Sequence, residues 1–236
     1  MQTLRKSTGA LLLLEGLLLF LPLIILGGAI GWPETLGDPA SSMLPLIFEQ
    51  AGPTRLGYFI YLIYSLLFFP VVVLAARVAV GNDQDNLYVR FAVGFGAASA
   101  LARCIGIIRW LIPMPALAVA YTAPGVTSET QATISIIFDM LNNFGGSIGE
   151  ILGVSMFASF AILSIAILIL KNNAMPAWTG YFALISFAML LIPAVEIFGI
   201  DPGIFLTISV LVIQFWFMIV SAYLLTTAQS PAVVMN

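Results

Sequence analysis

Apolar residues run along this chain in long blocks separated by short polar connections. About 20 apolar residues are needed for a helix to cross the hydrocarbon core of a bilayer. Six blocks meet that length: 9–32, 57–78, 88–121, 147–170, 178–200 and 204–225. In the third, Pro113 and Pro115 predict a kink, because proline lacks the N–H donor and crowds the carbonyl four residues earlier. Arg5 and Lys6 before the first block give it the look of a signal peptide. Its apolar run exceeds the roughly 7–15 residues of a signal h-region, and no small-x-small site closes it, so a retained first span is expected. The predicted fold is all-α: a bundle of six transmembrane helices in a single integral membrane domain, residues 1–236.

Two connections carry patterns of their own. In 33–56, Asp38 followed by Pro39 reads as a helix cap and first position. The helix after it has Leu44, Ile47 and Phe48 as its apolar face. It is too short to span, and is expected flat on the outer interface or folded over the mouth of the bundle. In 127–146, Thr127 or Ser128 can cap a helix starting near Glu129, with Ile134, Ile137, Phe138 and Leu141 at helical spacing. That helix leads into the fourth span, with a break expected at Gly145-Gly146. No internal repeat of the inverted-transporter kind is evident.

Charge sets the orientation. Arg5, Lys6, Arg77, Arg90 and Lys171 fall on one side of a six-span arrangement. The opposite loops hold Glu34, Asp38, Glu49, Glu129 and Asp201, with Arg55. The positive-inside rule therefore predicts cytoplasmic N- and C-termini.

The polar residues that interrupt the apolar blocks are the candidate chemistry. Glu15, Arg103, Arg109, Asp139, Glu150 and Glu196 sit in or beside apolar helix, where ionisable groups usually turn inward and meet partners. Asp139, Asn142, Asn143, Gly146, Ser147 and Glu150 recur at spacings of three and four, one polar stripe on a continuous helix. Gly145, Gly149 and Gly153 form a second row, small enough to admit another helix closely. Arg103 and Arg109 lie six residues apart on one helix, so they point in different directions. One is expected to meet Glu150 or Asp139 and the other Glu15 or Glu196. These are ion pairs or proton sites that fix helix register, or else one arginine grips an anionic ligand group. Trp32 and Trp178 fall at span ends, as interfacial anchors do.

Composition narrows the classes. The chain is 61% hydrophobic and 8% charged, against roughly 25% charged in soluble domains, and its mean hydropathy is +1.10. The eight basic residues are scattered, so nucleic acid is not an expected partner. The absence of histidine excludes a His-based triad, an imidazole zinc site and a bis-His haem. Cys104 stands alone, there is no phosphate-binding G-x-x-x-x-G-K-[ST] loop, and no D-x-x-D pair marks a carboxylate hydrolase. No metal and no cofactor are expected, and an enzyme is the less favoured class.

Three segments carry a resemblance. They are Gly106-Ile-Ile-Arg-Trp-Leu-Ile-Pro-Met-Pro-Ala-Leu-Ala with Tyr121, Leu141-Asn-Asn-Phe-Gly-Gly-Ser-Ile-Gly-Glu-Ile-Leu-Gly153, and Pro176-Ala-Trp178. Together with Trp32-Pro-Glu-Thr-Leu-Gly-Asp-Pro39, the chain resembles a bacterial membrane family catalogued as domain-of-unknown-function family 4386. It departs from that pattern in its last span, where Trp216 is the lone tryptophan. The resemblance implies six helices and a bacterial cytoplasmic membrane, and puts weight on Arg109, Trp110, Asn142, Gly149 and Glu150. It implies no activity.

Two functional readings stay open. In the first, Arg109, Trp110, Asp139, Asn142, Asn143 and Glu150 build an internal polar site that binds or transports a small or lipid-like ligand. It opens to the non-cytoplasmic side. Glu15, Arg103 and Glu196 are its intramembrane ion-pair or proton partners. In the second, the polar residues are structural and the chain is an accessory subunit docking other membrane subunits.

Overall fold

The computed structural model describes residues 2–81, 83 and 86–227. Of the predicted connection 81–87, residues 82, 84 and 85 lie outside that set. Among the described residues there are helices and no strands. Six helices are long and apolar enough to cross a membrane: Gln2–Ile30, Ala51–Val80, Leu87–Tyr121, Ser128–Asn172, Ala177–Phe198 and Phe205–Thr227. Several run beyond the apolar blocks, because helix continues into polar flanks that hydropathy alone does not count.

Prolines mark where these helices are interrupted. The first span is α-helical over Gln2–Leu18 and again over Phe20–Ile30. Pro22 lies four residues after Leu18, so it gives the Leu18 carbonyl no N–H and its ring crowds that carbonyl. The third span is likewise split, into Leu87–Leu111 and Pro113–Tyr121, with Ile112 at φ −120 between them. The break expected from Pro113 and Pro115 is present. The fifth span passes from α-helix, Ala177–Leu191, into a tighter 3-10 segment, Ile192–Phe198, around Pro193. Gly199, at φ 73, then ends it in the left-handed conformation that glycine tolerates.

The fourth span differs from expectation. Gly145-Gly146 does not break it, and the helix continues for 45 residues from Ser128 to Asn172. The chain widens instead, into a π-helical stretch over Ser147–Ala158. There each N–H reaches back five residues rather than four. Two glycines lower the cost of unusual backbone geometry without imposing a stop. At its start, Thr127 Oγ1 accepts the Thr130 N–H at 3.2 Å, the cap expected.

The short helix after the first span is Ala40–Glu49. Asp38 does not cap it. Pro39, extended at ψ 155, occupies the cap position, and its carbonyl accepts the N–H groups of Ser42 and Met43. Asp38 is therefore one residue too early. The buried face is Ala40, Met43, Leu44 and Ile47, whereas Phe48 is exposed. That face packs on Pro113–Tyr121 and Ser128–Gly146.

The chain resolves into two compact units. The first comprises residues 1–17, 67–99 and 154–236, the second 18–66 and 100–153. The divisions fall inside helices, not in linkers, and each unit has its own apolar core. In the first, Val72, Ala76, Ile162, Ile165, Trp216 and Phe217 belong to the core. Trp216 Nε1 donates to the Thr179 carbonyl at 2.9 Å, and Ser221 Oγ donates to the Gly9 carbonyl at 2.6 Å. Arg5 reaches the Ala174 carbonyl and the Tyr223 hydroxyl, and Lys171 stands 4.8 Å over the Tyr88 ring. In the second, Leu26, Ile30, Met43, Leu44, Tyr58, Trp110, Met114 and Phe138 belong to the core.

Trp216→Phe keeps an aromatic ring in the first unit but deletes its indole donor and some volume. Chemical unfolding in micelles is expected to show a loss of about 1–3 kcal/mol, the sum of a buried hydrogen bond and a small cavity.

Candidate functional site

The polar residues of the second unit gather around Arg109. It lies near the end of the Leu87–Leu111 helix and is buried, as is the neighbouring Trp110. Arg109 Nη1 donates to the Gly106 carbonyl at 2.8 Å. Its Nη2 is 3.4 Å from Asn142 Oδ1 and 3.7 Å from Glu150 Oε1. Asn142 in turn donates through Nδ2 to the Leu36 carbonyl at 2.8 Å. One amide thus ties the arginine to the turn that follows the first span.

Room for this guanidinium comes from glycine. A Cβ on Gly145 would lie 2.6 Å from Arg109 Cδ, and one on Gly146 would lie 3.4 Å from Nη2. A second close approach fixes the helix pair itself. A Cβ on Gly106 would lie 2.7 Å from the Gly149 Cα and 2.9 Å from the Gly145 carbonyl oxygen. Small residues at such a crossing let two helix backbones meet, and here they bring Glu150 within reach of Arg109.

The second span closes the other side. Tyr58 stacks on Trp110 with centroids 4.9 Å apart and planes 4° apart. Tyr61 packs edge-on to Trp32 and stacks on Tyr64. Tyr58 and Tyr61 both lie within electrostatic reach of Arg109 and Glu150. Arg103 lies 4.6 Å over the Tyr64 ring, with its Cγ against Gly153.

Of the sequence candidates, the structure brings together Arg109, Trp110, Asn142 and Glu150. Asp139 and Asn143, with Ser147, are exposed and form the opposite edge of the stripe. Glu15 is fully buried in the first unit. Glu196 is exposed, in the 3-10 turns that end the fifth span. Tyr58, Tyr61 and Gly106 were not singled out by polar spacing. The signal for the tyrosines was their recurrence at 58, 61 and 64, one every three residues along the second span.

A family model described as "Domain of unknown function (DUF4386)" matches residues 7–227. The chain belongs to this family. No curated protein and no solved structure matches it. The matched range includes every residue around Arg109, and the family description carries no activity to assign to them.

The chemistry available is recognition. A buried, planar, always-charged fork is held by a carbonyl, an amide and a carboxylate beside stacked aromatic rings. The Glu150 side chain is 35% exposed, whereas Arg109 is buried.

Gly106→Ala drives its new methyl into the Gly149 and Gly145 backbone and is expected to cost about 1–3 kcal/mol. Gly94→Ala, at a helical position with nothing within 4 Å of the new Cβ, is expected to be neutral or slightly stabilising. Parallel thermal unfolding of the two variants in one detergent checks the contrast.

Proposed function

We propose that this multi-pass membrane protein binds a small or lipid-like polar ligand at the Arg109 cluster, as the binding step of a carrier or sequestering function. The reading takes the chain as one integral domain of the bacterial cytoplasmic membrane with both termini cytoplasmic. The observation that carries it is the pairing of Arg109, only 7% exposed, with a carboxylate that is one-third exposed. Burying an ion pair costs desolvation that only short, well-aligned bonds repay. This pair is long, at 3.7 Å, and aromatic rings flank it as they flank polar ligands in many sites.

Native mass spectrometry of protein gently extracted from its own membrane tests the proposal. A recurring small adduct is expected on the wild type. In Arg109→Gln it is expected to fall at least about tenfold, the loss of one charge-assisted contact. Co-eluting protein chains without an adduct would replace this reading with that of an accessory subunit.

Orientation is tested separately. In a Cys104→Ala background, Ser128→Cys is expected to react with a membrane-impermeant maleimide in intact cells, and Ser7→Cys only after permeabilisation. The reverse pattern would overturn the cytoplasmic placement of the termini.

A further inference from the structure

The two edges of the Arg109 guanidinium are used unequally. Nη1 has a short bond, to the Gly106 carbonyl at 2.8 Å. The Nε and Nη2 hydrogens point the same way, and that edge is the one shaped for two parallel bonds to a carboxylate or phosphate. Along it, Nη2 has only the long contacts to Asn142 and Glu150, at 3.4 and 3.7 Å. Nε is buried and has no hydrogen-bond partner. The Tyr58 hydroxyl, on the ring stacked against Trp110, is also buried without one. A guanidinium N–H can only donate, and the phenol can donate too. What completes the cluster is therefore an acceptor. Glu150, at 3.7 Å, lies near enough to neutralise Arg109 but too far to make the paired bonds.

We propose that the Nε/Nη2 edge of Arg109 receives the oxyanion of the ligand, a carboxylate or a phosphate, and that Glu150 is the group it displaces. This rests on the ligand-site reading above and specifies its chemistry. Glu150 then acts as an internal competitor. It holds the arginine neutralised in the empty protein and repels the incoming anion until it swings away. Removing its charge strengthens binding, whereas removing the arginine abolishes it.

Thermal unfolding of the purified full chain in dodecyl maltoside tests this with named probes. These are inorganic phosphate, octanoate, and phosphatidylglycerol supplied in mixed micelles against dodecyl maltoside micelles alone. A ligand that binds only the folded state raises Tm with its concentration, which yields the affinity. At least one oxyanion probe is expected to stabilise the wild type. Glu150→Gln is expected to bind that probe about tenfold more tightly, and Arg109→Gln to lose the effect. Arg109→Lys is expected to lose most of it, because a point charge does not replace the fork. Response to phosphate or octanoate identifies a free anion, and response to phosphatidylglycerol alone identifies a lipid headgroup. Glu150→Gln is near-isosteric at a partly exposed position, so the test survives even if Arg109→Gln fails to fold. Weaker binding in Glu150→Gln, or no response of the wild type to any oxyanion probe, overturns the proposal. If Arg109→Gln loses the native adduct and Glu150→Gln loses it equally, the displacement role falls while the site stands. If Arg109→Gln keeps the adduct, the site reading falls.

Discussion

A guanidinium buried among apolar helices governs the second unit. Arginine does not shed its proton to ease the cost of burial, so its surroundings must supply acceptors and space. Each neighbour follows from that demand. Gly106 offers a carbonyl three residues back, and Gly145 has no side chain where the Arg109 stem must pass. Asn142 bridges to the Leu36 carbonyl, so the turn after the first span is held by the same charge. Glu150 supplies the countercharge from a helix brought close by the Gly106–Gly149 contact. Replacing any of these with a larger or apolar group would leave a buried charge short of partners, the costliest defect available to a membrane helix.

The π-helical stretch over Ser147–Ala158 belongs to the same arrangement. Reaching back five residues instead of four changes which side chains share a face. Glu150 and Gly149 both sit in it. The stripe counted on regular α-helical spacing therefore holds up to Gly146 and loses its meaning beyond. Such wide turns are uncommon and tend to occur at functional positions, where an irregular backbone aims a side chain that regular spacing would miss.

Much of this fold was legible because the bilayer simplifies the problem. Long apolar blocks can only be helices, and the six that emerged match those in the structure, along with the proline break near Ile112. The boundaries were less legible, since hydropathy ends where polar residues begin and helices do not. Asp38 was misread because capping depends on which residue is extended, a matter of one position that composition does not fix. At the site, the sequence placed two arginines on one helix and two carboxylates on another without saying which pair would meet, and the structure brings Arg109 to Glu150. Asp139 and Asn143 were grouped with it by spacing alone, although spacing cannot say which edge of a polar stripe faces inward. Tyr58 was invisible to a search for charge, because its place comes from stacking on Trp110.

The length of the Ser128–Asn172 helix has a consequence for depth. At about 1.5 Å per residue, 45 residues would extend roughly 65 Å if α-helical throughout, about twice the thickness of the hydrocarbon core. One crossing needs about 20 residues, so the helix is more than twice as long as a crossing requires. Any part of it outside the acyl layer carries polar side chains such as Asp139 and Asn143 without the cost that hydrocarbon imposes on them.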